Sequence, residues 1–226
     1  MPAALLDDRS LLRDVGALGL AAFAVGISFG AIAIASGLSA LMTVLMSVII
    51  FAGGSQFMAV GLIAAGNPFA AVFAGLLLNA RHLPFGLAIG DTLGRRRWQR
   101  LLGAHLLIDE SVAFALAQSD LARRRRAYWA TGVTLFVTWN VGALIGIALG
   151  GAAGDPDRLG LDAAFPAGLF ALILPSLKDP RTRLVALGGA LVALLTTPLL
   201  PAGLPVLLSL TGLALLAVPR RPEVSV

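Results

Sequence analysis

Residues 15–80 read VGALGLAAFAVGISFGAIAIASGLSALMTVLMSVIIFAGGSQFMAVGLIAAGNPFAAVFAGLLLNA and contain no Lys, Arg, Asp or Glu. A helix crosses the hydrocarbon core of a bilayer in about 20 residues, so this stretch alone holds enough apolar chain for several membrane segments. Three more charge-free windows follow, 127–154, 163–177 and 184–219. The 17 Lys+Arg and 12 Asp+Glu of the 226-residue chain are therefore crowded into what remains. Mean hydropathy is +0.90. A soluble domain needs far more polar surface than this, and a disordered chain needs fewer apolar residues. The composition predicts an all-α, polytopic helical membrane protein forming one integral-membrane domain over residues 1–226.

The net charge of +5 would suggest nucleic acid in a soluble protein. Here most Arg residues stand in short clusters between apolar segments, the pattern of cytoplasmic loops, so the expected partner is the lipid bilayer and not nucleic acid. The absence of cysteine removes disulfides, thiolate metal sites and cysteine nucleophiles. The apolar run 15–36 is too long for the core of a cleaved signal peptide and is followed by further membrane segments. It therefore reads as the first span. Segments 41–65 and 69–90 come next, separated by the turn signal Gly66-Asn67-Pro68.

Two basic clusters then pose a conflict. Arg95–Arg97 with Arg100, and Arg123–Arg126, enclose a stretch of about 20 residues holding His105, Asp109 and Glu110. If both clusters face the cytoplasm, segment 101–119 cannot be a single crossing: it is re-entrant, or one cluster loses the charge vote. Segment 127–150 is a clear span whose Gly142, Gly146 and Gly150 share one helix face, where a neighbouring backbone can approach. The acidic loop 151–162 reads as external, segment 163–177 is interrupted by Pro166 and Pro175, and segments 184–199 and 204–218 lead to Arg220-Arg221 at a cytoplasmic end. The count is seven or eight membrane segments, some broken or re-entrant, with an inverted repeat suspected.

Polar residues inside the apolar windows mark the candidate chemistry. Gly53-Gly54-Ser55-Gln56 weakens a helix in mid-membrane. Either the helix breaks there and offers amides to a carboxylate, or the glycines only allow close packing. In Asn79-Ala80-Arg81-His82-Leu83-Pro84, Arg81 is costly in lipid unless it pairs or faces water, and Pro84 is expected to leave the Ala80 carbonyl without its usual partner. His105 and Asp109 are four apart, as on one helix face, but the ligand count for a metal is poor. Asp109 and Glu110 more plausibly pair with Arg81 or carry protons, unless they simply sit at the surface. The set suits a small zwitterion held by half-helix ends and apolar walls. A membrane-embedded hydrolase using Ser55, with His82 or His105 as base, is the competing class. Its serine motif lacks the second flanking glycine.

These residues, Gly54-Ser55-Gln56-Phe57, Asn79-Ala80-Arg81-His82 with Pro84-Phe85-Gly86, and Asp109-Glu110-Ser111, resemble in order and separation the AzlC family of branched-chain amino acid exporter large subunits. The similarity covers about residues 15–200. Gly54 and Pro84 depart from it, where a second Ser and a bulkier residue are common. The resemblance implies a multi-pass permease of the cell inner membrane that exports amino acids such as L-valine and works with a small AzlD-type membrane subunit. It is neither an enzyme nor dependent on a cofactor or metal. Permeation of another small neutral metabolite is the alternative. On this reading Gly53, Gly54, Ser55, Gln56, Asn79 and Arg81 bind substrate, and His82, Asp109 and Glu110 are candidates for proton coupling.

Overall fold

The computed structural model describes residues 8–152, 174, 176–200 and 204–217. The expected external loop 151–162, nearly all of segment 163–177, and Arg220-Arg221 lie outside the described residues apart from Gly151-Ala152 and the short stretch Ser176–Lys178. Among the described residues there are helices and turns and no strands.

Helix α1 spans Asp8–Ala35, about 42 Å of helix at 1.5 Å per residue. It ends where Gly37 takes a left-handed φ of 87°, a conformation that costs glycine nothing. Its partner is α8, Leu121–Ala152. The two helices are parallel: Leu11 and Val15 pack with Ala127, while further along Gly26 would place an added Cβ 2.5 Å from the Trp139 carbonyl oxygen. At Gly30 the same atom would meet the carbonyl of Ala143, at Gly142 that of Phe23, and at Gly146 that of Ile27. Lipid removes the hydrophobic drive between helices, so close backbone approach at small residues supplies the packing energy instead. The glycine spacing read from 142–150 is thus answered by a second set on α1.

Between these helices the chain crosses once and twice turns back. Helix α2, Ala40–Leu45, is capped by Ser39, whose Oγ accepts from Met42 N–H at 3.2 Å. It runs into a π-helical turn, Met46–Ile50, and stops at Phe51, whose φ of 32° is left-handed. Helix α3, Gly53–Ala64, then begins. Gln56 Nε2 donates to the Met46 carbonyl at 2.7 Å. Along a straight helix those residues would lie about 15 Å apart, so the chain has reversed. Ser47, on one arm, donates its hydroxyl to Asn140 Oδ1 at 2.8 Å. Phe57, on the other, stands edge-on to neighbouring Trp139 with centroids 6.2 Å apart. The segment 41–65 is therefore a hairpin rather than one crossing.

After Gly66 (φ 77°) and the Asn67 cap, α4 (Pro68–Asn79) descends along α3. A two-residue turn separates it from α5, His82–Ile89, and together they are long and apolar enough to cross a membrane, as α1 and α8 are. Helix α6, Arg97–His105, and helix α7, Asp109–Leu116, form the second hairpin. Arg125 at the start of α8 donates its Nε to the Thr92 carbonyl at 3.2 Å, and buried Tyr128 donates its hydroxyl to the Gly103 carbonyl. Both arginine clusters thus stand at one end of the molecule. Segment 101–119 goes in and comes back, because nine residues of α6 rise only about 13 Å, less than half the core of about 30 Å.

Two local expectations change. His105 and Asp109 do not share a helix face, because Leu106–Ile108 interrupt the helix between them. The Ala80 carbonyl is not left without a partner either: it accepts from Leu83 N–H at 3.1 Å in a tight turn, the shift that Pro84 imposes on the ladder. Helix α9, Pro180–Thr196, and α10, Leu204–Leu208, continued by the 3-10 segment Ser209–Ala217, pack together at Gly189, where an added Cβ would lie 2.6 Å from the Ser209 carbonyl. Phe69, Phe73, Leu87, Leu144 and Leu194 are among many large apolar side chains pointing outward, a surface suited to acyl chains and not to water.

Candidate functional site

The three helix interruptions, at Phe51-Ala52, Ala80-Arg81 and Leu106–Ile108, come from different parts of the sequence and meet beside the middle of α8. Phe51 sits edge-on to Phe136 at 5.0 Å between centroids, and His105 lies 5.5 Å from the same ring. Leu106 packs on Gly132 and belongs to the buried cluster of Phe51, Phe57 and Trp139. Ser111 holds the second hairpin's tip: its Oγ accepts from Ile108 N–H at 3.0 Å and is itself 2.9 Å from the Ile108 carbonyl.

A path of polar contacts runs through these breaks. Ser55, 2% exposed, donates its hydroxyl hydrogen to the Ala52 carbonyl at 2.9 Å and accepts from Asn79 Nδ2 at 3.1 Å. The backbone carbonyl of Asn79 takes a hydrogen bond from His82 Nδ1 at 2.9 Å, which places that ring's proton on Nδ1. Arg81 Nη1 meets Asp109 Oδ2 at 3.1 Å, so one of the pairings read from sequence is formed. Glu110, half-buried beside Asp109, lies within electrostatic range of Arg81.

The glycines play two parts. Gly53 lies against the Trp139 ring, 2.9 Å from where a Cβ would stand, while Gly54 would allow one in ordinary contact with Leu78. With Ser55 they form the first turn of α3, ahead of the Gln56 N–H to Ala52 carbonyl bond, where helix amides point outward with the positive end of the dipole. Gln56 is fully buried. Ser47, Phe136, Trp139 and Asn140 frame the site and were missed by sequence reasoning. Their signal was faint: Ser47 is one of five serines in the uncharged window 15–80, and Asn140 is a single Asn in the window 127–154.

Among the described residues no histidine bonds Ser55, whose hydrogen is directed to a carbonyl and not to a base. No group of three or more His, Cys, Asp or Glu in those residues could hold a metal. The arrangement holds charges and amides at the ends of broken helices and offers no assembled nucleophile–base pair.

The sequence profile of the AzlC family, described as AzlC protein, matches residues 17–153. The branched-chain amino acid transport protein AzlC of Bacillus subtilis (strain 168) is 29% identical over 215 residues, covering 89% of this chain and 82% of that protein. Inner membrane protein YgaZ of Escherichia coli (strain K12) is 31% identical over 180 residues, 74% of this chain and 73% of the relative. An uncharacterized membrane protein of Archaeoglobus fulgidus is 30% identical over 169 residues, 74% of each chain. No solved structure matches. The matched residues 17–153 contain both hairpins, most of α1, α8 to its end, and every candidate site residue, and the chain belongs to the AzlC family of membrane proteins.

Proposed function

We propose that this protein is a secondary transporter exporting branched-chain amino acids such as L-valine across the cell inner membrane, working with a small AzlD-type membrane subunit. The observation that carries the reading is the meeting of three helix breaks at one level, joined by the Ser55–Asn79 and Arg81–Asp109 contacts. Non-helical backbone at membrane depth is tolerated where it is buried in protein or lines a water-filled path. Discontinuous helices at a midplane are how many transporters hold charged substrate ends.

In this reading the first-turn amides of Gly53, Gly54 and Ser55 and the side chains of Gln56 and Asn79 contact the substrate backbone. Arg81 exchanges its Asp109 partner for the substrate carboxylate. His82, Asp109 and Glu110 carry the coupling proton, since their charge can change where lipid excludes other carriers. No Gly-x4-Gly-Lys-Ser/Thr motif exists in the chain to take ATP directly. The name of the Bacillus subtilis relative supports the substrate class.

The test is export from cells loaded with a valine-containing dipeptide. Co-expression of this chain and the small subunit lowers internal valine relative to an empty vector. Internal valine unchanged with both chains present in the membrane overturns the reading.

A further inference from the structure

The polar atoms that the site leaves unpaired include three acceptors. Gln56 Oε1, Asn79 Oδ1, Asp109 Oδ1 and Arg81 Nε are sealed from solvent and have no hydrogen-bond partner among the described residues, and the same holds for Trp139 Nε1 and Thr131 Oγ1 on α8. The amide orientations are dictated by their neighbours. Gln56 faces the Met46 carbonyl, which can only accept, so its NH2 must point there and its oxygen is left over. Asn79 faces a Ser55 hydroxyl whose hydrogen is committed to the Ala52 carbonyl, so Asn79 must donate and its oxygen too is left over. Three unmet acceptors therefore stand beside two unmet donors, Arg81 Nε and Trp139 Nε1, and the Thr131 hydroxyl, which can do either. The three acceptors and Arg81 lie within a few residues of the converging breaks, and a buried polar group without a partner is rare enough to need a cause.

A group that satisfies three acceptors needs several N–H donors, and positive charge strengthens each bond. These atoms belong to two neutral amides, an Arg–Asp pair and an indole N–H, with Glu110 beside the pair, so acceptors suited to a cation stand next to donors suited to an anion, as a zwitterion requires. Building on the transport reading above, we infer that Gln56, Asn79 and Asp109 form a subsite for the substrate's primary ammonium group, making a free α-amine the feature on which this transporter selects. Because the acceptors are sealed, the amine reaches them only after the Arg81–Asp109 contact opens. The substrate carboxylate then takes Arg81, and the freed Asp109 joins the two amides around the nitrogen. Carbon chains of the same shape that lack the N–H donors leave the acceptors unmet. A site built to hydrogen-bond a substrate group rejects analogues without it far more strongly than it rejects a changed methylene.

The experiment is counterflow of labelled leucine by the full chain with its small subunit in proteoliposomes, competed by leucine, 4-methyl-2-oxopentanoate, 2-hydroxy-4-methylpentanoate and N-acetyl-leucine. Leucine competes, and the three analogues need at least about a hundredfold higher concentration. Asn79→Leu raises the leucine KM about tenfold or more and brings leucine and the oxo acid closer together, whereas Asn79→Asp, which keeps the acceptor, preserves the discrimination. If leucine counterflow occurs and the oxo acid competes within about threefold of leucine, the ammonium subsite is wrong while transport stands. Equal competition that also requires sodium assigns the acceptors to the metal ion and overturns the inference. Absence of leucine counterflow strikes the transport reading instead. The comparison on the unmodified protein stays decisive if the Asn79 variants do not fold.

Discussion

Arg81 and Asp109 meet at 3.1 Å across two separate helix breaks, one in the α4/α5 crossing and the other at the tip of the α6/α7 hairpin. The contact ties a membrane-crossing element to one that enters and leaves on the arginine-rich side. Charges at this depth are retained when they pair or serve a pathway, and this pair is placed to do both.

Removing one partner leaves the other charge uncompensated. Arg81→Gln and Asp109→Asn each lower export at least about tenfold, because a lone charge within an apolar segment is costly and the exchange of Arg81 between Asp109 and the substrate is lost. The double variant recovers folded yield, having no lone charge, but not export. Size-exclusion profiles in detergent and dipeptide-loaded efflux assays together check this; export restored in the double variant would give the pair a purely structural role.

The hairpin topology is open to direct labelling, since the chain has no cysteine to mask a single introduced one. Arg95→Cys and Asp120→Cys react with a membrane-impermeant maleimide from the same face of sealed vesicles. Ser36→Cys and Ala65→Cys react from the opposite face. Labelling of positions 95 and 120 from different faces would replace the second hairpin with a full crossing.

The clamp between α1 and α8 predicts a sharp difference between glycines. At Gly146 an added Cβ would meet the Ile27 carbonyl oxygen, whereas at Gly16 nothing lies within 4 Å. Gly146→Ala destabilises by about 1–3 kcal/mol, the usual cost of overpacking. Gly16→Ala leaves thermal stability in detergent unchanged or slightly raised, as expected for helix propensity. Equal thermal shifts for the two variants would remove the clamp.

Phe51 sets two effects against each other. Its ring packs on Phe136 and His105, yet its φ of 32° lies in a region that non-glycine residues rarely adopt. Phe51→Ala loses about 3–5 kcal/mol with the buried ring. Phe51→Gly loses the same contacts but recovers about 1 kcal/mol of left-handed backbone cost. Thermal unfolding of the pair checks the order, Gly above Ala.

Much of this architecture could be read from the chain because lipid punishes charge so consistently. The uncharged windows located α1, α4 and α8, and the conflict between the clusters Arg95–Arg97 and Arg123–Arg126 left two options for the segment between them, a re-entrant one or a crossing with one cluster on the other side. Gly142, Gly146 and Gly150 announced the close face of α8, and Arg81 with Asp109 announced each other as rare charges. The first hairpin was harder. Its turn falls at Phe51-Ala52, just before the glycines that drew attention, and a Phe in a left-handed conformation follows tertiary packing and not local propensity. Ser47 and Asn140 recognise each other across 93 positions, a pairing that no spacing rule within one segment can reveal.

The parallel course of α1 and α8 has a counting consequence. Two helices that point the same way must be separated by an odd number of full crossings, and α4/α5 supplies one. If only one of the two hairpins were drawn out into a span, the count would become even and the glycine faces of α1 and α8 could no longer meet in register. The two hairpins are therefore linked by parity: either both turn back, as they do here, or neither does. A sequence change that straightens one must also straighten the other or dismantle the clamp.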